Sequence, residues 1–117
     1  MVWKQLKTSK GSMGFRCSYY ITERAERDFD DITGYLIEAG GYEIAARFVG
    51  EYEKQIENIR MFPEMGSVVD NMFVTLEDVR WIKVLRYRLY YHYSNGKVTV
   101  LRIVHEKQNM MEYGIGI

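Results

Sequence analysis

The sequence predicts an α+β domain: an N-terminal strand, a pair of antiparallel helices, and a C-terminal antiparallel β-meander packed under the helices. Three observations favour this class. Two long segments repeat apolar residues at helical spacing, a short segment before them is aromatic and β-branched, and from residue 80 onward the pattern alternates as in strands. The chain of 117 residues fits one such domain. We expect residues 1–14 to be a flexible leader and residues 15–117 to form a single domain.

The first strand and the first helix meet at Thr22. Residues 15–21 are aromatic and β-branched, which is typical of a strand. Thr22 then stands where a helix N-cap belongs. Glu23 and Glu26 place negative charge in the first helical turn, where the helix dipole favours it. The chain is therefore predicted to pass directly from strand to helix.

Two helices joined by a glycine turn are predicted next. The apolar stripe of the first consists of Phe29, Ile32, Tyr35 and Leu36. This helix ends at Gly40 and Gly41, because glycine is the usual residue just past a helix terminus. The second helix covers about residues 42–62 and is stopped by Pro63, the only proline. The short connection makes the pair an αα-hairpin.

The remaining chain is predicted to form the meander. Residues 63–78 are rich in turn formers, and a short edge strand is expected around residues 72–76. Three strands follow, at residues 80–84, 86–93 and 98–105. Asn95-Gly96, between the last two, is the dipeptide most favoured in two-residue hairpin turns.

Charge is distributed unevenly along a chain whose formal net charge is zero. Residues 22–60 hold ten acidic and five basic side chains, whereas residues 80–107 hold seven basic and one acidic. A neutral protein with this asymmetry can present a local anion-binding face.

Several classes of protein are disfavoured. The chain has none of the sequence patterns of nucleotide-binding loops, zinc proteases, serine hydrolases or calcium loops. The lone Cys17 forms no intramolecular disulfide, and His92 and His105 have no obvious third ligand. We therefore expect no cofactor and no metal. No apolar run approaches the roughly 20 residues of a membrane span, so we expect a cytoplasmic protein with no membrane partner.

A basic and aromatic strand is the first candidate site. Because side chains alternate along a strand, one face should carry Arg86, Arg88, Tyr90 and His92, and the other Tyr87, Leu89, Tyr91 and Tyr93. The second set is predicted to be core beneath the helices. The first set is predicted to be exposed, where arginine and aromatic groups suit phosphate and stacked bases. An ordinary solvated sheet face explains the same residues equally well.

The end of the last strand is the second candidate site. His105, Lys107 and Tyr113 fall close together in sequence and could move protons and stabilise a phosphoryl transition state. RNA cleavage of that kind needs no metal, because the 2′-hydroxyl attacks the neighbouring phosphate itself. A capped strand end followed by a mobile tail is the alternative interpretation.

Three groups of segments, in order along the chain, resemble the RelE/ParE toxins of type II toxin–antitoxin systems. Residues 21–35, ITERAERDFDDITGY, resemble the family's first strand–helix junction, commonly T-x-x-A-x-x-D-[LF]-x-x-I-x-x-Y. Residues 45–48 and 59–66 are similar to its second helix and the L-x-x-x-P-x-x-G stop that follows. Residues 79–80, 86–91 and 100–105 are similar to its C-terminal strands. The resemblance covers roughly residues 18–113, and the ordered set is more specific than any one motif.

The resemblance implies a toxin neutralised by an antitoxin that is encoded beside it. RelE-like members cleave mRNA in the ribosomal A site, whereas ParE-like members inhibit DNA gyrase, and the shared fold cannot decide between them. We expect a metal-independent, ribosome-dependent mRNA endoribonuclease that blocks translation. The alternatives are a gyrase inhibitor without catalytic activity, and a non-toxic relic that only binds an antitoxin-like partner. The expected partners are the cognate antitoxin, in a hetero-oligomer, and either the ribosome with mRNA or gyrase.

The resemblance also implies site residues. Four are candidate catalytic residues: Arg88, His105, Lys107 and Tyr113. Arg88 matches an arginine that contacts the scissile phosphate, Lys107 stands near a second arginine of the family, and Tyr113 lies at the distance of a C-terminal tyrosine. His105 matches a histidine that is frequent at this strand end. Three further residues are candidate RNA-binding residues: Arg80, Lys83 and Arg86. Of these, Arg80 and Lys83 stand in place of a family lysine pair.

Overall fold

The computed structural model describes residues 16–69 and 78–108. Helix α1 (Glu23–Gly40) begins at the predicted N-cap, where the Thr22 hydroxyl accepts a hydrogen bond from the Ala25 amide at 3.1 Å. Gly41, with a φ of 89°, turns the chain into α2 (Tyr42–Met61). Pro63 is the second residue past the end of α2. The predicted αα-hairpin is confirmed.

Five strands form one sheet. They are β1 (Ser18–Ile21), β2 (Ser67–Val68), β3 (Val79–Val84), β4 (Tyr87–Ser94) and β5 (Lys97–His105), in the order β1-β5-β4-β3-β2. The strands from β2 to β5 pair antiparallel, as the predicted meander requires. β1 pairs parallel to β5, with Tyr19 opposite Val98 and Ile21 opposite Val100. The sheet is therefore mixed, because one pair of strands is parallel and the others are antiparallel.

The core lies between the helices and one face of the sheet. Phe29, Phe48 and Tyr52 from the helices form an aromatic cluster, with ring centroids 4.7 to 6.1 Å apart. The sheet supplies Tyr87, Leu89 and Tyr91, and Tyr93 packs against this cluster half-buried. The predicted core face of this strand is thus confirmed.

The other sheet face, here called the outer face, is less exposed than predicted. Tyr90 is only 2% exposed and packs with Val69, Val79 and Val104 in a second apolar cluster. The prediction that Tyr90 belongs to an exposed face is therefore wrong. Alternation along β4 correctly placed Tyr90 opposite the helices, but it carried no information about the strands and the loop residue that pack around it.

Arg86 also differs from the prediction. The sequence pattern placed it in the strand, whereas Leu85 and Arg86 form the two-residue turn between β3 and β4. Three expectations lie outside the described residues: the leader at residues 1–14, the edge strand at residues 72–76 and the position of Tyr113. The described edge strand next to β3 is β2. No helix in the described part of the chain is long and apolar enough to cross a membrane.

Candidate functional site

Arg88 lies on the outer face of the sheet. Its guanidinium stands 4.1 Å from the ring centroid of Trp81, and it pairs across β3 and β4 with Lys83. Arginine over an indole ring is an attractive cation–π arrangement. Arg88 is therefore a half-buried cation, held in place by the neighbouring strand.

The cations Lys83 and Arg86 share one carboxylate. Lys83 Nζ lies 3.7 Å from Glu106 Oε1, and Arg86 Nη1 lies 3.9 Å from Glu106 Oε2. Both cationic side chains are well exposed, at 65% and 74%. Pairs of this kind are weak, so both side chains remain available to an anionic partner.

Arg80 is engaged inside the protein. Its Nε donates to Asp78 Oδ1 at 3.1 Å, and its Nη1 donates to the carbonyl oxygens of Glu64 and Gly66 at 3.0 and 3.2 Å. The side chain is 17% exposed. These contacts tie the loop after α2 to β3, and they use much of the hydrogen-bonding capacity that a phosphate would need.

His105 lies on the helix-facing side of the sheet end. Its ring packs edge-on against Tyr87 at a centroid distance of 5.2 Å, and its Nδ1 accepts a hydrogen bond from the Lys107 amide at 3.1 Å. Burial raises the pKa of the Tyr87 hydroxyl. Lys107 is exposed just beyond the strand end.

A pocket of about 640 Å³ opens beside His105, here called the tip pocket. Its described lining comes from the ends of the two helices, the β3–β4 turn and the end of the sheet: Tyr35, Leu36, Ile44, Arg47, Leu85, Arg86, Tyr87 and His105. It is mostly apolar, with cations at Arg47 and Arg86. Sequence analysis missed Arg47, because residues from the acidic helical half and from the basic sheet half meet only in the folded chain.

A smaller pocket of about 250 Å³ adjoins it and shares Tyr35, Tyr87 and His105. Its polar wall is the ion pair of Arg102 with Asp28, in which Nε lies 2.7 Å from Oδ2 and Nη2 lies 3.2 Å from Oδ1. Asp28 Oδ2 also accepts a hydrogen bond from the Ile103 amide at 3.0 Å. This ion pair joins α1 to β5. The two adjoining pockets together are here called the helix-facing groove.

Of the candidate catalytic residues in the described chain, His105 and Lys107 lie side by side, whereas Arg88 and His105 do not converge. Arg88 pairs with Val104 and projects to the outer face, whereas His105 pairs with Tyr87 and projects toward the helices. The body of the sheet therefore separates the candidate phosphate cation from the candidate proton-transfer group. Across residues 16–69 and 78–108, no three His, Cys, Asp or Glu side chains are grouped as metal ligands.

Comparison with known proteins identifies the class. Residues 19–110 match a family model described as the ParE toxin of the type II toxin–antitoxin system, parDE. The chain therefore belongs to the ParE toxin family, whose members are the toxin component of such a pair. The predicted toxin resemblance is confirmed at this level.

Among solved structures, 15 chains match. One, titled "Chromosomal ParDE TA system from P. aeruginosa", is 18% identical, with a TM-score of 0.63, over 79% of this chain and 98% of that chain. The similarity at this identity shows a common fold and confirms the predicted α+β architecture. A comparison with curated proteins gives no match.

Proposed function

We propose that this ParE-family toxin acts by binding DNA gyrase and blocking it, without chemistry of its own. Two observations support a binding toxin. The matched family is that of the ParE toxins. In addition, Arg88 and His105 project from opposite faces of the sheet. The family match carries the choice of gyrase, because ParE-like toxins inhibit it, and the second observation counts against a catalytic site shared by Arg88 and His105.

Metal-free RNA cleavage makes a strict geometric demand. A base, an acid and a cation must all lie within hydrogen-bonding reach of one phosphate and its neighbours. Arg88 is stacked on Trp81 on the outer face, and His105 lies in the helix-facing groove. A phosphate held by Arg88 on the outer face would therefore lie on the other side of the sheet from His105. A toxin that acts only by binding its target does not need a base, an acid and a cation at one phosphate.

The ribosome-dependent endoribonuclease is the second candidate. Strands β3, β4 and β5 contain no acidic residue, and the outer face presents Lys83 and Arg88 beside Trp81. Cations beside an aromatic ring are suited to an RNA strand. In this case Lys107 and Tyr113 would supply the remaining candidate groups and Arg86 a further RNA contact, whereas Arg80 would mainly hold the loop after α2.

Both candidates need an antitoxin. We propose that a short protein encoded beside this chain neutralises it in a toxin–antitoxin hetero-oligomer, using an acidic and apolar segment that folds on binding. We also propose that the toxin acts in the cytoplasm, where gyrase and ribosomes are found.

Expression in bacteria without the antitoxin tests the proposed function. Plasmid supercoiling and the 5′ ends of mRNA are measured in the same culture. We expect growth to stop, plasmid DNA to lose negative supercoils, and mRNA to show no codon-phased cuts. Codon-phased cuts with normal supercoiling would favour the endoribonuclease. Normal growth at strong expression would contradict both and favour the non-toxic relic.

A double variant separates binding from chemistry. His105→Gln with Tyr113→Phe removes two candidate proton-transfer groups and keeps similar side-chain volumes. A toxin without chemistry should stop growth at the same induction level as the wild type. Complete loss of toxicity, with the melting temperature unchanged, would support the endoribonuclease.

A further inference from the structure

The β3–β4 turn has an unusual sequence for its geometry. Leu85 and Arg86 are the two turn residues between the paired Val84 and Tyr87, and Leu85 adopts a φ of 55°. Leucine adopts this left-handed conformation at a cost of about 1 kcal/mol or more, whereas Asn and Gly adopt it readily. The β4–β5 turn uses Asn95 and Gly96, with φ values of 52° and 74°. Leu85 is therefore poorly explained by turn formation.

Both turn side chains line the tip pocket instead. Leu85 is 37% exposed, and the Arg86 side chain is 74% exposed. The facing wall comes from the helical hairpin, where Tyr35 is 62% exposed and Ile44 is 37% exposed. Large apolar side chains clustered around an open pocket are a feature of binding surfaces.

The charge of the pocket indicates the kind of partner. Arg47 and Arg86 both line it, and none of its described lining residues is acidic. Glu106 neutralises Arg86 only in part, at a separation of 3.9 Å. The site therefore favours an apolar group that carries a nearby carboxylate.

We propose that the tip pocket is the anchor site for the antitoxin. One large apolar side chain of the antitoxin enters between Tyr35 and Leu85, and carboxylates that flank it pair with Arg47 and Arg86. The inference rests on the proposed function only in taking an antitoxin as the partner. It holds equally whether the toxin acts on gyrase or on mRNA.

The test removes both turn side chains from the pocket and relieves the one strained position. In the double variant Leu85→Asn, Arg86→Ser, Asn adopts the positive φ of residue 85 more readily than Leu does, and Ser is compatible with residue 86, which has no positive φ. We expect its melting temperature to be equal to or above that of the wild type. We expect its affinity for the purified antitoxin, the product of the adjacent reading frame, to fall by about 10- to 100-fold, as when an interface anchor is removed. A merely structural role for these residues would not separate stability from binding in this way.

Two further variants examine charge. Arg47→Gln, at the opposite wall, should weaken antitoxin binding and reduce its salt dependence. Lys54→Ala removes an exposed cation on α2 that does not line the pocket, and it should change neither. Equal effects of these two substitutions would overturn the assigned role of the charge.

Three outcomes overturn the inference. The first is wild-type affinity in the double variant. The second is no binding of the adjacent gene product by the wild-type toxin. The third is a second copy of this chain occupying the pocket, shown by a dimer that the double variant abolishes. Gyrase inhibition is measured separately, without antitoxin. Failure of the gyrase proposal would therefore not change the interpretation of the antitoxin affinities.

Discussion

At the scale of single residues, Gly66 shows why the turn after α2 requires a residue without a side chain. A Cβ at this position would lie 2.7 Å from the Tyr91 hydroxyl oxygen and 2.9 Å from the Trp81 carbonyl oxygen. The Gly66 amide donates to that same hydroxyl at 3.0 Å, and the hydroxyl donates to the Pro63 carbonyl at 2.7 Å. Burial raises the pKa of Tyr91, so the hydroxyl remains a donor at neutral pH. The Tyr91 hydroxyl on β4 thus fixes both ends of the Pro63–Gly66 segment.

We expect Gly66→Ala to lower the free energy of unfolding by about 1–3 kcal/mol, as overpacking does. Urea denaturation measures it. Gly50→Ala is the matched control, because a Cβ there meets nothing within 4 Å and the residue lies inside α2. That control should gain up to about 1 kcal/mol from helix propensity. Similar effects of the two substitutions would contradict the close contact at Gly66.

The Asp28–Arg102 pair leads to a second prediction. Both side chains are 13% exposed, so Asp28→Ala leaves a buried guanidinium without this carboxylate and the Ile103 amide without its acceptor. Breaking such a pair costs about 3 kcal/mol. The exposed pair of Lys54 with Glu51, 3.9 Å apart, should contribute about 0.5 kcal/mol or less when Lys54→Ala is measured in the same way. A cost below 1 kcal/mol for Asp28→Ala would contradict the buried pair.

At the scale of elements, the helices and the antiparallel meander were predictable, and the place of β1 in the sheet was not. Thr22, the Gly40-Gly41 pair and Pro63 gave the helix boundaries, because capping and proline effects act locally along the chain. The parallel pairing of β1 with β5 joins segments far apart in sequence, and local alternation contains nothing about it. The register shift near Tyr90 and Tyr91 was equally invisible, since it arises from pairing with β5.

The candidate site shows the same limit. The basic character of Lys83 and Arg88 was evident from the sequence. Their separation from His105 depended on strand register, and the meeting of Arg47 with Arg86 depended on the tertiary fold. Leu85 was the one local clue, because a leucine replaces the Asn or Gly usual in a two-residue hairpin turn.

The β3–β4 hairpin provides a prediction at this scale. Leu85→Asn alone should stabilise the protein by about 0.5–1 kcal/mol, because Asn adopts the left-handed conformation more readily. The melting temperature and amide exchange along β3 and β4 report it. Asn95→Leu is the mirror substitution at the other turn, where the φ is 52°, and it should destabilise by a similar amount. A destabilised Leu85→Asn variant would show that Leu85 contributes packing that outweighs its backbone conformation.

At the scale of the whole molecule, one sheet separates two surfaces. The outer face carries Arg88 with Trp81, and the helix-facing groove carries His105 and the tip pocket. This division is the observation that favours the proposed binding toxin over the endoribonuclease, because Arg88 and His105 project from opposite faces.

Gyrase supercoiling with purified components tests the central claim most directly. Relaxed plasmid, ATP and gyrase are incubated with increasing amounts of the toxin, with and without the product of the adjacent reading frame. We expect supercoiling to be lost as toxin is added and restored by the antitoxin. Full supercoiling at saturating toxin, from a preparation that cuts mRNA on translating ribosomes, would contradict the claim.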